Sequence, residues 1–249
     1  MKILALIPAR MGSSRYPGKP MEPIAGKPMI GHVYEQVIKC NLVTDTVVAT
    51  CDDEIFDYVH SIGGQSVMTS INHERASDRC AEALLCLEEK AGFKYDIIVM
   101  IQGDEPMTHP DMIEEALSAL LEDDNVKVSN LIAEITSEEE FQDENCIKVV
   151  CDLSSNALYF SRQPIPTLKH EPSTTIGKQV CVIPFRRDFL LDYTKLQPTP
   201  LEVAESVDMM RVLEHGYKVK MVPTNHVSYA VDVPSDLKKV EEAIMRDDL

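Results

Sequence analysis

Arg10, Arg15 and Lys19 lie within ten residues of one another, in a stretch that also holds Gly12, Ser13, Pro17 and Gly18. Glycine lets a backbone approach a phosphate closely, while Arg and Lys supply charge. Residues 1–27 carry five cationic side chains against Glu22 alone, a net of +4 on a chain whose overall charge is −17. A local cationic segment on an acidic protein points to a small anionic ligand such as a polyphosphate. Arg15 and Lys19 suit the neutralisation of a triphosphate and of a departing pyrophosphate. The loop contains neither GxxxxGK[ST] nor GxGxxG, so it is neither a Walker loop nor a dinucleotide fingerprint. Two carboxylates complement it, Asp104 within Gln102-Gly103-Asp104-Glu105-Pro106 and Asp232 within Ala230-Val231-Asp232-Val233-Pro234. Mg²⁺ prefers a few carboxylates plus phosphate oxygens. By residue type alone, each aspartate reads equally as a turn or helix-start residue.

Two further groups are open to two readings. In His73-Glu74-Arg75-Ala76-Ser77-Asp78-Arg79, Ser77 and Arg79 either face a ligand or serve a helix start, with Arg79 pairing with Glu82 on its surface. Arg162 either grips a carboxylate, since a guanidinium holds two oxygens at once, or forms a surface salt bridge.

The elements that must position these residues follow from periodicity. Residues 2–8 are a short apolar run that reads as a buried strand, and residues 9–28 are a loop. Met29, Ile30, Val33, Tyr34, Val37 and Ile38 recur at helical spacing. Strands are expected at 46–51 and 95–101, and helices after Asp53 and over 77–90. Thr108 and Asp111 have capping-box spacing before a helix to about residue 122. Alternating strands and helices imply an α/β fold, a mostly parallel sheet flanked by helices, with ligands outside the carboxyl ends of its strands. Residues 146–186 break the pattern with short strand-like runs, a smaller antiparallel excursion. Helices at about 186–194 and 201–215, a strand at 218–222 and a helix at 234–246 follow.

The bulk numbers exclude several classes. A length of 249 residues and a hydrophobic content of 44% support one domain with a sizeable core, carrying a subdomain at about 145–200. The net charge opposes binding to nucleic acid or an anionic membrane. No apolar run approaches the roughly 18 residues needed to cross a bilayer, and the N-terminal run is too short for a secretory signal. Seven cysteines, without framework spacing, suggest reduced thiols and a cytoplasmic protein.

The run IPARMGSSRYPGKPMEPIAGKPMI resembles the signature of sugar nucleotidyltransferases, and specifically the CMP-KDO synthetase family of cytidylyltransferases. QGDEP resembles that family's metal motif, and AVDVP its VDTP segment, with Val233 in place of Thr. HERASDR resembles HxSGTxR, with Ala76 in place of Gly. Lys148 in IKVV, and Tyr159-Phe160-Ser161-Arg162 followed by Ile165-Pro166, match as well. The resemblance covers nearly the whole chain and implies a Rossmann-like nucleotidyltransferase sheet. It implies that CMP is transferred from CTP to KDO or a close 2-keto-3-deoxy sugar acid, with release of pyrophosphate. Ala9, Arg10, Ser13, Ser77, Arg79 and Gln102 would then contact CTP. Arg15, Lys19, Asp104 and Asp232 would be catalytic, with Mg²⁺ held by Asp104 and Asp232. It also implies a homodimer built through the excursion, serving lipopolysaccharide or capsule assembly.

The acceptor region departs from the pattern. The family's HLGIYxY appears as Gln179 to Phe185, and its PLExxExLEQLR appears as Pro200 to Arg211, with Asp208 and Met209 in place of Glu and Gln. With Arg162 as the carboxylate clamp, Gln179, Phe185, Asp208 and Met209 are expected to line the acceptor pocket. Unpaired sugar hydroxyls there would cost about 1–3 kcal/mol each, which predicts an acceptor other than KDO itself. Two alternatives differ in class. One is a nucleotidyltransferase for a sugar phosphate or phosphonate, needing cations such as Lys169, Lys178, Arg186 and Arg187. The other is a noncatalytic nucleotide-binding protein.

Overall fold

The run at the N-terminus forms β1 (Ile3–Ala9), buried along its whole length, as a strand covered on both faces requires. It belongs to a computed structural model that describes residues 1–12, 16–169, 176–227 and 229–246. Two compact units make up the chain: Met1–Glu114 with Val227–Leu249, and Glu115–His226.

In the first unit, β2 (Pro23–Ile24) and β3 (Lys27–Pro28) form a short antiparallel hairpin before α1 (Met29–Val37). β4 (Asp45–Thr50), α2 (Asp53–Ser61), β5 (Ser66–Met68), α3 (Ala76–Ala91) and β6 (Ile97–Ile101) follow in alternation. The strands lie in the order β6-β1-β4-β5 and every pair is parallel. The register runs from Leu4 opposite Asp45 to Ala9 opposite Thr50, so the strands end along one edge. The loops after β1 and β6 both leave from that edge, where open α/β sheets bind ligands.

α4 (Pro110–Glu122) starts in the first unit and ends in the second. At its start the Thr108 hydroxyl donates to the Glu105 carbonyl at 2.9 Å, and the Asp111 N–H donates to His109 Nδ1 at 3.2 Å. The second unit contains β7 (Ser129–Glu134), α5 (Glu138–Gln142), β8 (Lys148–Cys151), β9 (Ala157–Ser161), β10 (Gly177–Val180) and β11 (Val182–Arg186). α6 (Arg187–Tyr193), α7 (Pro200–Glu205), α8 (Asp208–Glu214) and β12 (Lys220–Thr224) complete it. Five strands lie in the order β12-β7-β10-β8-β9, antiparallel except for the parallel pair β12–β7. The antiparallel excursion is therefore real, but it belongs to a unit wider than residues 145–200.

The helix expected over 201–215 is two helices. Ser206 closes α7 in the left-handed conformation (φ 52°, ψ 47°), which no helix continues through. β5 and β7 were not anticipated: three residues are too few for periodicity, and β7 begins Ser-Asn.

The chain ends with α9 (Asp236–Met245), back in the first unit. Its Val240 and Ala243 pack with Ile24, Met29, Met107 and Val231 in one buried cluster. Burial of each large aliphatic side chain contributes about 1.5–3 kcal/mol. This packing brings residues 230–234 to the loop after β6, where the Val231 N–H donates to the Asp104 carbonyl at 2.9 Å.

Candidate functional site

Lys19 lies in a single 3-10 turn that follows Gly18, which has a positive φ of 80°. Its ammonium forms an ion pair with Asp104, donates to the Val231 carbonyl at 3.0 Å and lies 3.9 Å from an Asp232 carboxylate oxygen. Three residues distant in sequence thus meet at the ends of the parallel strands. Asp236 fixes the approach of Asp232, since its carboxylate accepts the N–H groups of Asp232 and Val233 at 2.8 and 2.9 Å. Two carboxylates around one cation are a donor set that suits a hard divalent ion, for which the Lys19 ammonium is a partial charge counterpart.

Beside this cluster is an open cleft of about 260 Å³, lined by Ala9, Arg10, Lys19, Arg79, Gln102 and Asp104 among others. Gly103 packs closely against the end of β1. A Cβ there would lie 3.1 Å from the Pro8 carbonyl oxygen and 3.3 Å from the Ala9 Cβ. The neck of the basic loop is closed by the Gly18 N–H donating to the Met11 carbonyl at 2.9 Å. Asp52 accepts the Met11 N–H at 2.8 Å. Ser13 and Arg15, expected at this loop, lie outside the described residues.

Arg79 is 2% exposed and sits in the first turn of α3. Its Nη1 donates to the Thr69 hydroxyl at 2.5 Å and approaches the Ser70 carbonyl at 3.4 Å. Thr69 is itself held, its hydroxyl donating to the Thr50 carbonyl at 3.0 Å. The other terminal nitrogen, Nη2, is buried and has no hydrogen-bond partner among the described residues. A buried unpaired donor is costly, and here the side chain lines the cleft, so a ligand acceptor would satisfy it. Ser77 is fully buried one residue into α3, whose N-cap is Arg75, so it does not cap the helix. Glu82 does not neutralise Arg79 by a surface pair. Its carboxylate takes the Ser70 N–H at 2.8 Å and the His73 ring. Burial pushes the Glu82 carboxyl up, but the Ser70 N–H, the His73 ring and the Arg79 charge together hold it below the usual carboxylate value.

In the second unit the acceptor candidates are less uniform. Arg162 donates from Nε to the Glu205 carbonyl at 2.6 Å and from Nη1 to the Glu144 carbonyl at 2.8 Å. It is a main-chain clamp at the end of α7, not a surface salt bridge. Gln179 donates its amide to Asn130 at 2.6 Å. Phe185 is fully buried and packs on the rings of Phe189 and Tyr193. Met209 is also fully buried. The expectation that Phe185 and Met209 form pocket walls is therefore corrected: both fill the core, where an apolar side chain leaves no sugar hydroxyl unpaired. Asp208 opens α8 and is partly exposed, and its carbonyl accepts the Tyr193 hydroxyl at 3.0 Å. Lys148 is fully buried, and its ammonium donates to the Asp143 carbonyl at 2.7 Å. Burial lowers its pKa. Of the cations that a phosphate-bearing acceptor would need, Lys178 pairs with Glu140, and Arg186 donates to the Leu120 and Val126 carbonyls at 2.6 and 3.2 Å.

The residues missed by sequence reading are Asp52 and Thr69, and Glu82 was read only as a surface partner of Arg79; all three act on other protein groups. Only the spacing of Glu82 three residues after Arg79 signalled its face of α3.

A family model described as cytidylyltransferase matches residues 4–221. The 3-deoxy-manno-octulosonate cytidylyltransferase of Geobacter metallireducens is 43% identical over 99% of both chains. That of Geotalea uraniireducens is 44% identical over 99% of this chain and 100% of its own. A solved structure of CMP:2-keto-3-deoxy-manno-octonic acid synthetase complexed with CTP superposes with a TM-score of 0.89 at 36% identity, covering 100% of both chains. A cytidylyltransferase from Leptospira borgpetersenii, 18% identical with a TM-score of 0.62, shares the fold.

Proposed function

We infer that this chain, which belongs to the 3-deoxy-manno-octulosonate cytidylyltransferase family of cytidylyltransferases, transfers CMP from CTP to KDO and releases pyrophosphate. The observation that carries the reading is the meeting of Lys19, Asp104 and Asp232 beside a cleft that Arg79, with one buried nitrogen unpartnered among the described residues, helps to line. The anomeric hydroxyl oxygen of KDO attacks the α-phosphorus of CTP, and its proton passes to bulk water. The bond to the β-phosphate oxygen breaks, and pyrophosphate leaves with that electron pair, an in-line displacement. Lys19 and Arg10 offset the negative charge of the phosphates, and Arg15 of the same loop joins them. Arg79 donates through Nη2 to an acceptor atom of the nucleotide.

Asp104 and Asp232 would hold Mg²⁺, which when bound lowers the pKa of the attacking hydroxyl and neutralises phosphate charge. Seven cysteines without framework spacing support reduced thiols and a cytoplasmic enzyme. No helix among the described residues is long and apolar enough to cross a membrane. Exposed Leu153, Leu158 and Leu168 support a homodimer through the second unit. Supply of activated sugar for lipopolysaccharide or capsule assembly completes the reading. A phosphate or phosphonate acceptor is not favoured, because Lys178 and Arg186 are already engaged. A noncatalytic binding protein has no need of both aspartates.

The test is pyrophosphate release with Mg²⁺, each of four nucleoside triphosphates, and KDO within a panel of acidic sugars. Release is expected with CTP and KDO together. Asp104→Asn is expected to lower kcat by about 10²–10³. Release with another nucleotide, or with KDO silent and another sugar active, overturns the assignment.

A further inference from the structure

The wall of the cleft between β5 and α3 is irregular backbone, residues 69–75, and it contributes His73, Glu74 and Arg75 to the lining. Irregular backbone at a binding site needs anchors, because an unanchored loop must be ordered when the ligand binds. At its start the wall is held by Thr69, whose N–H and hydroxyl both donate to the Thr50 carbonyl, at 2.8 and 3.0 Å. Beyond Thr69 two anchors converge on a single atom. Glu82 Oε2 accepts the Ser70 N–H at 2.8 Å and also meets His73 Nε2. The His73 carbonyl then accepts from Arg10 Nη1 at 3.2 Å. A chain of contacts thus runs from α3 through Glu82 and His73 to Arg10, on the loop that follows β1. Arg79, three residues before Glu82 on the same helix, reaches the same segment through Thr69 and the Ser70 carbonyl.

We propose that Glu82 is a positioning residue for the nucleotide: by holding Ser70 and His73 it sets the cleft wall and the placement of Arg10, and so tightens CTP binding without touching substrate. This rests on the reading of the cleft as the CTP site. Glu82 is not among the residues lining the cleft, which separates positioning from contact. Its side chain is 35% exposed, so its loss removes no core packing.

The experiment compares Glu82→Ala and Glu82→Gln with the parent enzyme, using calorimetric CTP binding, steady-state kinetics in both substrates and thermal unfolding. Loss of two hydrogen bonds to a charged acceptor is expected to raise the Kd and KM for CTP about 10-fold or more in Glu82→Ala. The KM for KDO is expected to stay within about twofold, since no KDO contact is lost. Glu82→Gln keeps an oxygen able to accept both N–H groups and is expected to recover most of the CTP affinity. CTP affinity in Glu82→Ala equal to that of the parent overturns the proposal. So does a variant in which both Michaelis constants rise, the melting temperature falls and glutamine restores nothing, because Glu82 is then a general structural residue. A parent enzyme that binds no CTP overturns the functional reading itself, and this inference with it, and is told apart by the parent measurement alone.

Discussion

Arg79 shows how one side chain can be both anchored and available. Thr69 and Ser70 hold Nη1, while Nη2 lies buried at the cleft with no partner among the described residues. Hydrogen bonds to charged groups contribute about 1.5–3 kcal/mol. Arg79→Met is therefore expected to raise the KM for CTP about 10- to 100-fold, with the KM for KDO nearly unchanged, read by steady-state kinetics. The residue scale was partly legible in sequence. Lys19, Asp104 and Asp232 announced themselves by charge within distinctive surroundings, and the fold brings them together. Arg162 was legible as a cation but not in its use: its partners are main-chain carbonyls of Glu144 and Glu205, and a carbonyl has no signature in residue type.

At the scale of elements, α7 and α8 are positioned by a buried ion pair. Glu202 accepts from Arg211 Nε at 2.7 Å and Nη2 at 2.6 Å, with side chains 0% and 5% exposed. The hydrogen bond to Glu202 and its charge hold the Arg211 guanidinium even more firmly protonated than usual, against the effect of burial. Glu202 also accepts the Thr199 N–H at 3.2 Å at the start of α7. Breaking such a pair leaves an uncompensated buried charge, so Glu202→Ala is expected to destabilise the fold by about 3–5 kcal/mol in denaturant unfolding. Replacing both partners with leucine is expected to recover much of that loss. The apolar periodicity over 201–215 reads as one helix because Ser206 is no breaker by type. Only its left-handed backbone ends α7, and the need to turn Glu202 toward Arg211 is a tertiary demand.

For the whole molecule, charge matters more than any one contact. A net charge of −17 over 249 residues places like charges within a Debye length of one another at low salt. The melting temperature is expected to rise between roughly 10 mM and 150 mM NaCl as the Debye length shrinks from about 30 to 8 Å. A fall, read by calorimetry, would mean that attractive pairs such as Lys178–Glu140 outweigh the repulsion. The division into two units was half legible. The change from alternating strand and helix to short antiparallel runs was visible. The limits at Glu115 and His226 were not, because α4 continues across one of them without any shift in composition.

What the sequence by itself determined was the parallel α/β frame, the basic loop after β1, the aspartates that follow β6 and precede α9, and the family. These rest on local signals: buried apolar runs, helical spacing, and charged side chains among glycines and prolines. Tertiary structure alone decided which polar groups were left unsatisfied and which were used up. Phe185 and Met209 have the composition of pocket walls but fill the core, and Arg79 has that of a helix-surface cation but is buried, with Nη2 unpartnered among the described residues. The physical reason is that burial and hydrogen-bond satisfaction depend on neighbours brought together from distant positions. A residue's type sets what it can donate or accept, and the packing of the fold sets what remains for a ligand.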